Sequence, residues 1–382
     1  MTRTIGVITG TRADFGILLP VLREIRRTPG LGLKLFVTGM HLSKEFGFTL
    51  DAIRRAGFRP ASMIRTRGFN ETPRGMTRSI GRIVEGLSTS LGAHGVDVLL
   101  LLGDRGEMLA GAVAATYLRI PVAHIHGGER SGHVDNAARQ AITRLAHVHL
   151  AATERSASRL RRMGEETWRI HVVGAPRLDT ILRIRRRSTA TVLRTHGFDP
   201  KAGLILIIQH PTAKDASRAG VLMERTLDAA SSFGMNVAAI YPSGDPGSAA
   251  IVDTLRRCRT DHALRLYRSL DESEYLELLS ATSVLVGNSS SGIIEAPSLR
   301  IPVVNIGDRQ QGRERAGNVI DVPHDVPAIR RAITKALHDR RFRASVESAK
   351  GPYGDGRSSE RIARILANLK VTDRLLEKHF TL

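Results

Sequence analysis

Short, continuous apolar runs alternate with amphipathic segments along this chain, and no other feature limits its fold so strongly. Ile5–Ile8, Leu33–Val37, Val96–Leu102, Val122–Ile125 and Val148–Ala151 read as strands. Helical spacing follows over Gly16–Arg27, around Ser43–Arg55 and in EMLAGAVAATYLR. Strands that are apolar without alternation are buried on both faces, which implies parallel sheets covered by helices on each side. A polar, charged stretch, ILRIRRRSTATVLRTHGFDP, interrupts the pattern at 181–200. It then restarts with Leu204–Ile208, Val237–Ile240, Ala263–Leu266, Val284–Val286 and Val303–Ile306. The expected fold is α/β: two Rossmann-like domains facing a cleft, residues 1–180 and 181–382. The sequence leaves open whether the last helical segment, SSERIARILANLK, returns to the first domain.

A length of 382 residues suits two domains of ordinary size. The single cysteine, Cys258, excludes an intramolecular disulfide and fits a reducing compartment. TRTIGVITG opens directly as a strand without a signal-peptide pattern, and no apolar stretch reaches membrane-spanning length. A cytoplasmic protein without a membrane partner is therefore expected. The net charge of +20 invites a nucleic-acid reading. The arginines, however, are scattered over helix faces (IRR, RLRRM, AIRRAI), and an aromatic content of 4% supplies few stacking platforms. A solvated arginine-rich surface is the simpler account. It excludes nucleic acid as the expected partner and stays compatible with small anions.

The segments just past the strands hold the chemistry. They are GTRADFG (Arg12, Asp14), GDRGE (Asp104, Arg105, Glu107), HGGERSGHVDNAARQ (His126, Glu129, His133, Asp135, Arg139), QHPTAKD (His210), YPSGDPGS (Asp245, Ser248), NSSSGIIE and GDRQQGRERAG (Arg309, Arg313). Parallel sheets bind ligands at these strand ends. Asp14, Asp104 and Asp135 also sit where a helix N-terminus welcomes an acid. His124 and His126, with Glu129, raise a metal site, but no spacing matches a familiar metal motif, so none is expected. Arg309 and Arg313 are either surface charge or, given their Gly-rich loop, anion ligands. In NSSSGIIE the small residues Ser289, Ser290, Ser291 and Gly292 suit a diphosphate at a helix start. Glu295 cannot serve phosphate, but a carboxylate there is placed to accept two hydrogen bonds from ribose hydroxyls.

GTRADFG, VTGMH, LLGDRGE, HIHGGE, RQAITRLAH, QHPT, YPSGDPGS, GNSSSGIIEAPS and NIGDRQQGRE, in this order, resemble the hydrolysing UDP-N-acetylglucosamine 2-epimerases over about the whole chain. HIHGGER stands where non-hydrolysing relatives would show HVEAGLR, which sides with the hydrolysing branch. The resemblance implies a glycosyltransferase-B type fold and conversion of UDP-N-acetylglucosamine to UDP and N-acetylmannosamine, by elimination of UDP and then hydration, in sialic acid or related pathways. It implies Asp104, Glu129 and Asp135 as acid/base carboxylates and His210 at the phosphate. Arg12, Ser289, Ser290, Ser291, Glu295 and Arg313 would hold UDP, with no cofactor, in a homodimer or homotetramer. Asn136, Gln140, Phe15 and Ser243 depart from the family pattern on the sugar side. A different UDP- or GDP-amino sugar, or a glycosyltransferase of the same fold, stays open as the alternative, as does a sugar-nucleotide binding protein without turnover.

Overall fold

The apolar runs form two parallel sheets. The structure, a computed structural model, describes residues 2–43, 48–66, 72–130, 135–184, 186–242, 245–258, 264–379 and 381, with the side chains of Pro73 and Asp135 outside the described set. The first sheet has seven strands: β1 (Arg3–Thr9), β2 (Leu31–Thr38), β3 (Pro60–Ile64), β4 (Val98–Leu102), β5 (Val122–Ile125), β6 (Val148–Ala151) and β7 (Ile170–Val172). Their order is β3-β2-β1-β4-β5-β6-β7, and every ladder is parallel. Alternate residues feed two cores. Val98, Leu100 and Leu102 join one face with Leu18, Leu22 and Ile25, while Leu99 and Leu101 join the other with Ile83, Leu87 and Met108. This two-sided burial is why β4 reads as an unbroken apolar run.

The second sheet has six strands: β8 (Leu204–Ile208), β9 (Asn236–Ile240), β10 (Leu264–Tyr267), β11 (Val284–Gly287), β12 (Val303–Ile306) and β13 (Val319–Val322). Its order is β10-β9-β8-β11-β12-β13, again parallel throughout. In each sheet the strand order reverses once, between β1 and β4 and between β8 and β11. These are the switch points at which doubly wound sheets bind ligands.

The chain divides into two compact units. One comprises 1–130, 134–180 and 353–382; the other comprises 131–133 and 181–352. The last helical segment, whose placement the sequence left open, thus falls in the first unit. Asp179 accepts hydrogen bonds from the backbone N–H groups of Ser358 (2.9 Å) and Ser359 (2.6 Å), and so caps the helix Ser358–Asn368 in the first unit. That helix buries Ile362, Ala363 and Leu366 in the core beneath β1 and β4. Asp179 lies 179 residues from the cap it makes, a pairing invisible to local pattern.

Other corrections are local. The helix expected over Gly16–Arg27 begins at Arg12, because Thr11 and Asp14 form a capping box. The segment expected as a helix over Ser43–Arg55 resolves into a 3₁₀ turn, Gly39–Leu42, and a short helix, Leu50–Arg55, while 44–47 lie outside the described residues. Ala263 and Ser243 also lie outside them. Strand β4 starts at Val98, not Val96. Strands β3, β7 and β13 had no apolar run to announce them: each sits at a sheet edge and is only partly buried.

Candidate active site

In the first unit the site forms past the ends of β4 and β5. The helix Asp135–Leu145 lays Arg139, 3% exposed, against this edge. One guanidinium N–H group of Arg139 donates to the Asp104 carboxylate and another to the carbonyl of His126 at 2.8 Å. The two loops are thus tied to one planar fork, a geometry that a lysine could not reproduce. His126 takes a left-handed backbone, φ 65°, which lets its amide bond Leu150 O while its ring turns to Glu129. His126 Nδ1 lies 2.9 Å from Glu129 Oε1, with both side chains buried. Gly128 is obligatory beside them: φ is 73°, and a Cβ would stand 2.3 Å from Ser156 O.

His124, whose Nε2 donates to Gly103 O at 2.6 Å, is held neutral, its pKa pushed down to about 3 by burial and by Arg139, against the opposing bond to Gly103. It serves as a buttress under the Asp104 loop. Arg12 opens the first helix of this unit, after β1, whereas the other nucleotide-binding candidates belong to the second unit. Asp14 is structural. It accepts from Thr9 Oγ1 and from the N–H groups of Gly10 and Thr11, and burial raises its pKa to about 6. Glu107 is buried and pairs with Arg105 at 3.3 Å. The side chain of Asp135 and all of His133 lie outside the described residues; the Asp135 backbone starts the helix that carries Arg139. Gln140 is exposed.

In the second unit the corresponding edge joins the ends of β8, β11 and β12. His210 N–H donates to Asn288 Oδ1 at 2.7 Å and Asn288 Nδ2 returns the bond to His210 O at 2.9 Å, which locks the two strand ends at the switch point. From the β12 side, Gln310 Nε2 (2.8 Å) and Arg309 (3.2 Å) donate to Asn288 O. Arg309 is therefore tied into the site edge and is not loose surface charge. Arg313 N–H closes the same turn on Gln310 O at 3.3 Å. Gly287 permits the arrangement: its φ is 130°, and a Cβ would fall 2.2 Å from Ile208 O.

The serine segment differs from the expected continuous helix. Ser291–Ile294 and Ala296–Leu299 are single turns, broken at Glu295 because Pro297 withholds an N–H that a continuing helix would need. Glu295 is 7% exposed, and its Oε2 accepts from Tyr275 Oη at 2.8 Å; the same hydroxyl lies 2.7 Å from Ser291 Oγ. Ser289 Oγ reaches Ser291 Oγ at 3.2 Å, so Ser289, Ser291, Tyr275 and Glu295 form one hydrogen-bonded string, with Ser290 and Gly292 on the same turn. Asp245 stands past β9, in the turn that starts the helix Ser248–Arg257, where its N–H bonds Ser248 Oγ at 3.1 Å. The sequence reading missed three organisers: Arg139, noted only as a polar strand-end residue; His126, weighed beyond that only as a metal ligand; and Tyr275, which lies in an ordinary helix with no local signal. Among the described residues, no group of three or more histidine, cysteine or acidic side chains could hold a metal ion, and no helix is long and apolar enough to cross a membrane.

Two doubly wound parallel sheets, each with its polar residues gathered at the switch point, define a protein of the glycosyltransferase-B type. Comparison with known proteins gives the family. Residues 23–367 match the family described as UDP-N-acetylglucosamine 2-epimerase. The chain is 38% identical to the UDP-N,N'-diacetylbacillosamine 2-epimerase (hydrolyzing) of Legionella pneumophila, over 99% of both chains. It is 33% identical to the UDP-N-acetylglucosamine 2-epimerase of Neisseria meningitidis, over 98% of this chain and 97% of that one. The chain belongs to the UDP-N-acetylglucosamine 2-epimerase family. Its fold matches the crystal structure of a UDP-GlcNAc 2-epimerase from Neisseria meningitidis bound to UDP-GlcNAc, with a TM-score of 0.80 at 21% identity, covering 95% of this chain and 99% of the other.

Proposed function

We propose that this enzyme is a hydrolysing 2-epimerase of a UDP-linked acetamido sugar. The observation that carries the reading is the Arg139 fork, which holds Asp104 beside a His126–Glu129 pair. The C2 proton of such a sugar is acidic only while C1 gains positive character, so a base and a stabilised leaving group must act together. Glu129 and His126 serve as the base. The C2–H electron pair becomes the C1–C2 double bond, the C1–O pair departs on UDP, and the proton passes to the base. Asp104 and Asp135 then guide water to C1 and a proton to the opposite face of C2, releasing the free sugar inverted at C2. In the second unit His210, Arg309 and Arg313, with Ser289, Ser290, Ser291 and Gly292, hold the diphosphate. Glu295 holds the ribose, Arg12 contributes a cation, and Asp245 belongs with the nucleotide-side residues.

UDP-N,N'-diacetylbacillosamine is the first substrate to test, since the Legionella enzyme named for it matches over the whole length. UDP-N-acetylglucosamine is the second, favoured by the Neisseria relative. Incubation with each in deuterated water, followed by mass spectrometry and NMR, tests the reading. Inverted sugar with deuterium at C2, together with free UDP, is expected. Unlabelled, uninverted sugar would replace the reading with plain hydrolysis, and UDP binding without release would replace it with a binding protein.

A further inference from the structure

Within the first unit, the helix that presents Arg139 is gripped at its other end by residues 373–378. Lys378 Nζ donates to the carbonyls of Thr143 (3.1 Å) and Arg144 (2.9 Å), in the last turn of the helix Asp135–Leu145. The same ammonium lies 2.7 Å from Glu165 Oε2. Glu165 is 1% exposed and also meets Arg144 at 3.1 Å and His149 at 2.9 Å, so its two oxygens are shared by three donors. Carbonyls at a helix end have no partner within the helix, and a cation there complements the dipole. Thr143 is one turn from Arg139, so whatever fixes the final turn also fixes the fork that holds Asp104.

The segment bearing Lys378 is itself pinned. Arg169, 1% exposed, donates to Leu375 O (2.6 Å), Arg374 O (3.0 Å) and Glu377 O (2.7 Å). Leu375 is buried in the core of the first sheet. Trp168, the chain's single tryptophan, stacks on the guanidinium groups of both Arg169 (4.2 Å) and Arg374 (5.1 Å), and so lies at the junction of segment and unit.

We propose that residues 373–378 act as a strut for the catalytic helix, with Lys378 as a positioning residue that holds Arg139, and through it Asp104, in register for the reaction. This rests on the functional reading above. The strut and the nucleotide-holding residues His210, Arg309, Arg313 and the serines belong to different units, which gives the test its selectivity. Turnover of the UDP sugar and UDP affinity by calorimetry are measured for the full-length chain and for Lys378→Met, Lys378→Arg and Arg169→Lys. Trp168 emission reports seating of the segment, and circular dichroism reports folding.

Lys378→Met is expected to lower kcat tenfold or more while KM and UDP affinity stay within twofold. Lys378→Arg, which keeps the cation, is expected to recover kcat to within threefold. Arg169→Lys is expected to shift Trp168 emission and lower kcat, and combining it with Lys378→Met to add little, because both release the same segment. A folded Lys378→Met chain with kcat within twofold overturns the strut. So does a Lys378→Arg chain as impaired as Lys378→Met, or a loss of kcat and UDP affinity together, which marks general destabilisation. Absence of turnover in the unsubstituted chain sinks the functional reading and the strut with it, whereas turnover that Lys378→Met leaves intact sinks the strut alone.

Discussion

Arg139 and Asp104 are joined across 35 residues of sequence, and the same guanidinium also holds the carbonyl of His126. One side chain therefore ties together the two loops that, on the proposed reading, flank the reacting sugar. Arg139→Lys keeps the charge but loses the fork. It is expected to lower kcat about a hundredfold with UDP affinity unchanged, since a misplaced acid costs rate more than binding. Steady-state kinetics alongside UDP calorimetry checks this; unchanged kcat would remove Arg139 from the catalytic arrangement.

Glu295→Gln removes the charge that Tyr275 and, on the proposed reading, two ribose hydroxyls engage. A hydrogen bond to a charged group is worth about 1.5–3 kcal/mol, so UDP affinity is expected to fall on the order of ten- to a hundredfold. Tyr275→Phe should weaken UDP less, by roughly three- to tenfold, because it only loosens the orientation of the carboxylate. UDP affinity unchanged in Glu295→Gln would reduce the residue to a structural role.

Gly287→Ala places a methyl group where Ile208 O already stands. Backbone strain and overlap of this kind cost about 1–3 kcal/mol each. A fall in melting temperature of several degrees and loss of UDP binding are expected. An alanine variant that melts and binds like the parent would show that the strand end moves freely.

Acid should destabilise the fold through buried histidines. Burial chiefly holds His41 and His147 at about 4 and His124 at about 3, so all three stay neutral in the folded chain while the unfolded chain protonates near 6.5. Their contribution is present above pH 6.5 and is lost as pH falls towards 4. Asp14 acts in the opposite sense: raised to about 6, it takes up a proton in the folded chain first and returns some stability between 6 and 3.8. Three protons against one leave a net loss on the order of 2–3 kcal/mol per pH unit in this window. Urea midpoints measured from pH 7 to 4.5 should fall steadily; a flat profile would mean that these rings are charged in the native state.

The double-sided burial of β4 and β8 writes itself into sequence as unbroken apolar runs, so the two sheets and the polar strand ends were legible. Edge strands β3, β7 and β13 were not, because a half-exposed strand needs no such run. The same divide holds at the site. Asp104, Glu129 and the serines announce themselves by type and position. Arg139 and Tyr275 matter through partners 35 and 20 residues away, and such distances leave no mark in local spacing. Glu295 was visible, but the break that Pro297 makes beside it was overlooked in favour of the helical spacing.

The Asp179 cap on Ser358 and Ser359 has a consequence for synthesis on the ribosome. The slot that Ile362, Ala363 and Leu366 fill is built from residues translated far earlier, and the whole of 181–352 must be made in between. At about 5–20 residues per second, those roughly 170 residues take on the order of ten to thirty-five seconds. Throughout that interval the nascent first unit carries an open apolar groove beneath β1 and β4. Chaperone attachment during elongation, and aggregation when translation stalls between 181 and 352, are the outcomes expected from where one helix finds its N-terminal cap.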